Sequence, residues 1–283
     1  MARYDRRHGH TLIVNEDAPR RYRALFISDV HLGKRGCQAD KLLDFLRHHD
    51  AETVYLVGDI VDGWALRSNW YWPQSHNDVV QKFLRKGRKG VRVIYIPGNH
   101  DEFLRGYYGT HFGGIEVVEN AIHQAADGRR YLVVHGDSFD IVVTQARWIA
   151  HLGDKAYEFA LMVNRVFNSW RRLFGVSYWS LSQWAKLKVK NAVNYIGAFE
   201  KALANEAHRH QVDGVICGHI HFATIHDDFG LRYINCGDWV ESCTAVAEHQ
   251  DGTFEIIFWA ISGVEADSKQ AQSESAAPQV KAA

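Results

Sequence analysis

The chain has 283 residues, is 46% apolar and carries 33 Lys and Arg against 33 Asp and Glu, a formal net charge of zero. That length suits one large domain, or one domain with a sizeable insertion, and neutrality gives no bulk pointer to a nucleic-acid partner. Cys37, Cys217, Cys236 and Cys243 form no C-x-x-C pair, which favours reduced thiols in a cytosolic protein over a disulfide scaffold.

Residues 1–21 form a polar, Arg-rich arm with no signal-peptide core. No stretch approaches the roughly 20 apolar residues that span a bilayer, so any membrane contact is expected to be peripheral. Residues 22–28 read as a buried strand ending at Asp29-Val30-His31, and residues 38–49 as a helix with Leu42, Leu43, Phe45 and Leu46 on one face. Residues 53–57 read as a second strand ending at Gly58-Asp59. Residues 78–89 read as a helix capped by Asn77 and stopped by Gly90. A third strand, 91–96, breaks at Pro97 before Gly98-Asn99-His100-Asp101. Strands alternating with helices imply βαβ units and a largely parallel sheet.

Shorter strands follow at 115–118, 121–124 and 130–134, the last ending at His135-Gly136-Asp137. Residues 140–210 read as almost entirely helical, with no proline. A strand at 213–217 ends at Gly218-His219-Ile220-His221, and the pieces at 224–226, 231–235, 243–248 and 253–261 read as a second, mixed or antiparallel sheet. Residues 264–283 lack large apolar side chains beyond Val264 and Val280 and read as a disordered tail, so the main domain is placed at 22–263.

Five apolar runs thus end in a Gly-flanked or strand-terminal Asp, Asn or His, and in a parallel sheet such ends converge on one edge. Glycine there lets the backbone turn tightly and clears space beside a ligand. The candidate ligands are Asp29, His31, Asp59, Asn99, His135, His219 and His221. Seven mixed oxygen and nitrogen donors suit two divalent ions sharing Asp59, and the absence of thiolate points to Mn, Fe or Zn chemistry outside structural cysteine sites. Two metals about 3.5–4 Å apart can activate water for in-line attack on phosphorus.

The ordered set D-x-H, GD, GNHD, HGD and GHIH resembles the calcineurin-like metallophosphoesterases over residues 22–261. The resemblance implies a four-layer α/β/β/α sandwich and two divalent ions, usually Mn2+. It implies that Asp29, His31, Asp59 and His221 hold one ion and that Asp59, Asn99, His135 and His219 hold the other. His100 would either protonate the leaving group or contact the phosphate, with Asp101 orienting its ring.

The helical stretch at 140–210 is rich in aromatics and basic residues, including Arg165, Arg171 and Arg172. It reads either as a cap that lines an acyl-chain groove at a membrane interface or as a subdomain packing its aromatics on the sheet. With Gly98-Asn99-His100-Asp101-Glu102-Phe103-Leu104, it makes the chain similar to the UDP-2,3-diacylglucosamine diphosphatases of lipid A synthesis, although the best-known branch has Arg where this chain has His100. That resemblance implies a nucleotide-lipid or phospholipid-like substrate at the cytosolic face of the inner membrane, and no nucleic-acid partner. Arg165, Arg171 and Arg172 are expected substrate contacts. Asn69 and Trp70, on an aromatic loop, would receive a base or lipid, or else pack under the cap. Trp239 lies on a Gly-containing turn that either borders the substrate or is an ordinary strand connection. A metal-binding scaffold without turnover is the remaining reading.

Overall fold

The computed structural model describes residues 3–4, 11–12, 19–140 and 181–259. Arg3–Tyr4 (β1) pairs antiparallel with Thr11–Leu12 (β2). The main sheet is built from Arg20–Ile27 (β3), His49–Val57 (β4), Arg92–Ile96 (β5) and Ile115–Val117 (β7), all parallel. His111–Phe112 (β6) closes one edge. The helices Ala39–His48 (α1), Gly63–Ser68 (α2) and Gln74–Arg88 (α3) lie between these strands in sequence. A second sheet has the order β11-β12-β10-β9-β8, with Ala121–Gln124 (β8), Arg130–Val133 (β9), Gly214–Cys217 (β10), Thr224–Asp228 (β11) and Leu231–Asn235 (β12).

The near-continuous apolar runs of the parallel strands are explained by burial on both faces. Leu25 and Ile27, Val54 and Leu56, and Val93 and Tyr95 point to the core shared with α1 and α3. Their alternates, Ala24 and Phe26, Tyr55 and Val57, and Ile94 and Ile96, meet Tyr131, Val133, Ile216 and Ile234 of the second sheet. A period of two thus divides each strand between two cores. The outer face of the second sheet, through Leu132, Val215 and Tyr233, packs on Phe199, Leu203, Ala204 and Ala207 of the long helix Leu181–Arg209 (α4). The order is helices, sheet, sheet, helix: the expected four layers.

Several expectations change. Thr244–Glu248 (β13) and Phe254–Phe258 (β14) join the main sheet, not the second one: β13 runs antiparallel to β3 and carries β14 at the edge. Short antiparallel runs separated by turns say nothing about which sheet they enter. α3 starts four residues before Asp78, after Pro73, so Asn77 is inside the helix and caps nothing. Proline's fixed φ suits a helix start, whereas its own place in an aromatic loop concealed that start. The C-terminal part of the helical stretch, through Phe199 to Ala207, is the sandwich's outer layer rather than a cap. Residues 141–180, the bulk of the expected cap, lie outside the described residues, as do most of the basic arm and the tail.

Candidate metal centre

The five motifs sit at the C-terminal ends of β3, β4, β5, β9 and β10, the first three on one sheet and the last two on the other. Convergence on one edge of a single sheet was the simpler expectation; here two stacked sheets bring their ends to a common centre. Backbone hydrogen bonds tie the loops together, from Asp29 N to the Gly58 carbonyl at 3.0 Å, His31 N to Asp59 at 2.9 Å and Gly218 N to His135 at 3.1 Å. Asp29, His31, Asp59, His219 and His221 all hold left-handed backbone, with φ between 52° and 72°. That conformation costs a non-glycine residue about 1–2 kcal/mol. Spending it at five candidate ligands turns their side chains off the strand ends into one space.

Glycines make the crowding possible. A Cβ on Gly98 would lie 2.6 Å from His135 Nε2 and collide with Asp59, and one on Gly218 would lie 2.5 Å from Asp29 Oδ2. In the space so cleared, Asp29, His31 and His221 offer ligand atoms within 4.8 Å of one another, as do Asp59, His135 and His219. Asp59 Oδ2 is 3.4 Å from His135 Nε2 and 4.0 Å from His31 Nε2, so it faces both sets. His221 Nε2 comes within 3.2 Å of Asp29 Oδ1 and 3.4 Å of His31 Nε2.

The donors fit two divalent cations. Asp29 Oδ1, Asn99 Oδ1 and His135 Nε2 are buried with no hydrogen-bond partner of acceptable geometry. Each such atom costs about 1–3 kcal/mol, which coordination would remove. The ring orientations agree: His135 Nδ1 donates to the Val57 carbonyl at 2.9 Å, His31 Nδ1 meets Asp62 Oδ2 at 3.1 Å, and His219 Nε2 meets Asp140 Oδ2 at 2.8 Å. Each imidazole thereby presents its other nitrogen for ligation, an arrangement that fixes tautomer and basicity. When bound, two divalent ions there supply Lewis-acid stabilisation of charge on phosphorus and activation of water.

Electrostatics keep the site ionised. Burial opposes ionisation of Asp59, yet the facing His135, His100 and His31 hold its carboxyl far below the usual carboxylate range. Burial likewise opposes ionisation of Asp29, but His221 and His135 bring it below its ordinary value. Burial would depress the His135 imidazole; Asp59, then Asp29 and Asp137, instead push it up to about 10. His100 is raised as well, with burial outweighed by Asp62 and Asp59. Its Nε2 lies 3.9 Å from Asp59 Oδ2, beside the centre.

Six of the seven expected ligands, Asp29, His31, Asp59, His135, His219 and His221, therefore meet at the centre, and the seventh, Asn99, has a buried amide oxygen without a hydrogen-bond partner. Asp101 is different. It does not orient His100: its carboxylate accepts from Tyr95 Oη (2.5 Å), Ile60 N (2.8 Å) and Gly98 N (2.5 Å), bracing the ends of β4 and β5. The partner of His100 Nδ1 is Asp62 Oδ1, at 3.0 Å. Asp62 was missed because it lies three residues beyond the Gly58-Asp59 motif, where only the α2 N-cap geometry brings it back; the same carboxylate accepts from Ala65 N. Trp239 is also corrected. It is fully buried against Phe45, so its indole cannot meet substrate. The turn that carries it is a brace: Trp239 N donates to the Asp29 carbonyl, Ser28 Oγ to Gly237 O, and Asn235 Nδ2 to Gly218 O. Asn69 is the exposed C-cap residue of α2, and Trp70 is 74% exposed beside Trp72. Arg165, Arg171 and Arg172 lie outside the described residues.

Among solved structures, Vacuolar Protein Sorting 29 from Cryptosporidium parvum is similar with a TM-score of 0.40 and 10% identity, over 83% of this chain and 94% of that one. A novel archaeal phosphodiesterase gives a TM-score of 0.37 and 12% identity, over 83% and 98%. Among characterised sequences, a UDP-2,3-diacylglucosamine hydrolase of Neisseria meningitidis serogroup C is 27% identical over 224 residues, 76% of this chain and 89% of that protein. One from Vibrio cholerae serotype O1 is 26% identical over 233 residues, 76% of this chain and 90% of that protein. The calcineurin-like phosphoesterase family model matches residues 22–223, a span holding every candidate ligand, and on that match the chain belongs to the calcineurin-like phosphoesterases.

Proposed function

We propose that this metal-dependent hydrolase cleaves the diphosphate of UDP-2,3-diacylglucosamine, giving UMP and 2,3-diacylglucosamine 1-phosphate, with two Mn2+ as its ions. Similarity to hydrolases named for that substrate, along 76% of this chain and about nine-tenths of theirs, carries the reading. The chain's own residues supply the rest. Asp59 fixes both ligand sets in one place, and His100 presents a cationic imidazole to a non-bridging or leaving oxygen. Asp62 keeps that ring aligned. The basic, aromatic stretch that includes Arg165, Arg171 and Arg172 would hold the diphosphate and acyl chains, and Asn69 and Trp70 the base. An acylated substrate places the reaction at a membrane surface, the cytosolic face of the inner membrane; among the described residues no helix is long and apolar enough to cross one.

A second reading, hydrolysis of another phosphomonoester or phosphodiester, is favoured by His100 standing where the best-known diphosphatase branch has Arg. Incubating Mn2+-loaded protein with UDP-2,3-diacylglucosamine separates the two. UMP release supports the proposal, whereas hydrolysis of bis(p-nitrophenyl) phosphate with no UMP release supports the second reading. Asp59→Ala and His135→Ala should abolish turnover on either substrate, and a metal-replete protein inactive on both would be a scaffold.

A further inference from the structure

At the edge of the main sheet opposite the metal centre, the C-terminal ends of α1 and α3 meet the starts of β3 and β4. β3 alone runs 8 residues, so the two edges are about 25 Å apart. Three adjoining clefts of about 170, 530 and 220 Å3 open there, sharing Arg47, Lys82, Arg85, Lys86 and Lys89 among their walls. Arg21 completes a set of six cations, against the carboxylates Asp50, Glu52 and Asp78. In a chain with equal numbers of acidic and basic residues, this is a local excess in a concave place.

The carboxylates are already engaged. Asp50 Oδ1 takes the buried Lys86 ammonium at 2.7 Å, Asp78 accepts from Gln74 at 2.8 Å and Glu52 from Gln250 at 3.2 Å. Helix dipoles account for part of the excess, since Arg85, Lys86 and Arg88 occupy the last turn of α3 and Arg47 that of α1. They do not account for Lys82, one turn earlier and partly buried. Its pKa is lowered, first by burial and then by Lys86, Arg85 and Arg47. Like charges gathered in a concavity focus potential on an anion.

We propose that this cleft between α1 and α3 is a second anion site that takes clustered phosphate groups, presented by an anionic lipid headgroup or by free pyrophosphate. Lys86, held by Asp50 and by the His49 carbonyl at 3.4 Å, forms its fixed floor. Lys82, Arg85, Lys89 and Arg47 are the adjustable walls. The site is separate from the metal centre and does not depend on the substrate assigned to that centre.

The test compares full-length, metal-loaded wild type with Lys82→Ala/Arg85→Ala in two arms. One arm measures co-sedimentation with phosphatidylcholine vesicles with and without phosphatidylglycerol; the other titrates inorganic pyrophosphate by calorimetry. Each charge removed near an anionic surface weakens binding about fivefold, so the double variant should bind about twenty-five-fold more weakly. Loss in the vesicle arm alone identifies a lipid headgroup as the source, and loss in the pyrophosphate arm alone a free phosphate. Equal binding by the two proteins in both arms, or no binding by either, overturns the site. Melting temperature gives an independent readout: the anion should raise that of the wild type only, and the variant without anion should be no less stable. A variant that melts earlier and retains anion binding assigns these residues to folding and likewise overturns the proposal.

Discussion

Asp62 Oδ1 lies 3.0 Å from His100 Nδ1, and this contact ties His100 to the candidate metal centre. The other oxygen of the same carboxylate, Oδ2, meets His31 Nδ1 at 3.1 Å. One side chain therefore holds both the candidate metal ligand His31 and the neighbouring His100. Although burial opposes its ionisation, the facing His100 and His31 imidazoles hold the Asp62 carboxyl far below the usual range.

Asp62→Asn removes that charge while keeping the shape. His100 would then lose its main support against burial, and its pKa should fall. Outer partners of metal-site histidines typically contribute 10–100-fold, so kcat/KM should drop by about that factor. In the proposed function His100 acts protonated, whether it donates a proton or only contacts phosphate. The alkaline limb of the pH profile should consequently move to lower pH. A profile that drops in height without moving would limit Asp62 to holding His31.

Asp101→Ala should act on stability instead. It leaves the Tyr95 hydroxyl and the Ile60 and Gly98 amides without their acceptor, in a place where Asp101 itself is fully buried. At about 1–3 kcal/mol for each orphaned donor, the unfolding free energy should fall by several kcal/mol in urea titrations. Loss of turnover with unchanged stability would return Asp101 to a direct role at His100.

The contrast between these two aspartates shows where the sequence was legible. The candidate ligands announce themselves because each lies at or just past the end of an apolar run, most of them on turns that carry a glycine, signals local to a few residues. Parallel strands could be read because Leu25 and Phe26, or Val54 and Tyr55, serve cores on opposite faces and leave no polar alternation. The partners of the ligands carry no such mark. Asp62 reaches His100 across 38 positions and Asp140 reaches His219 across 79, and neither distance can be guessed from spacing. Trp239 misled for a related reason: an aromatic on a glycine turn looks exposed until β13 is placed beside β3 and the indole is seen against Phe45.

Gly98→Ala tests how tightly the centre is built. Its new methyl would sit 2.6 Å from His135 Nε2 and clash with Asp59, the residue that faces both ligand sets. Far-ultraviolet circular dichroism should stay native while bound metal per chain and hydrolysis both fall. Full metal content in the variant, measured by elemental analysis, would mean that the loop can yield and that Gly98 serves only the turn.

The charge balance of the centre should be visible in protein stripped of metal. His135 is raised from its ordinary 6.5 to about 10, chiefly because Asp59 outweighs burial. A folded-state pKa raised in this way stabilises fully below pH 6.5, and the benefit disappears as pH climbs through about 10. Asp59 and Asp29 act in the opposite sense. Held below 3.8, they stabilise the fold above that value and lose the benefit as acid protonates them. The stripped protein should therefore melt at its highest temperature between these windows and progressively lower from pH 6.5 toward 10. Divalent metal takes the place of the protons, so binding should release them and tighten as pH rises. Restoring the metal should raise the melting temperature most at the alkaline end. A stripped protein whose melting temperature stays flat across that range would show that Asp59 and His135 are not coupled in the folded state.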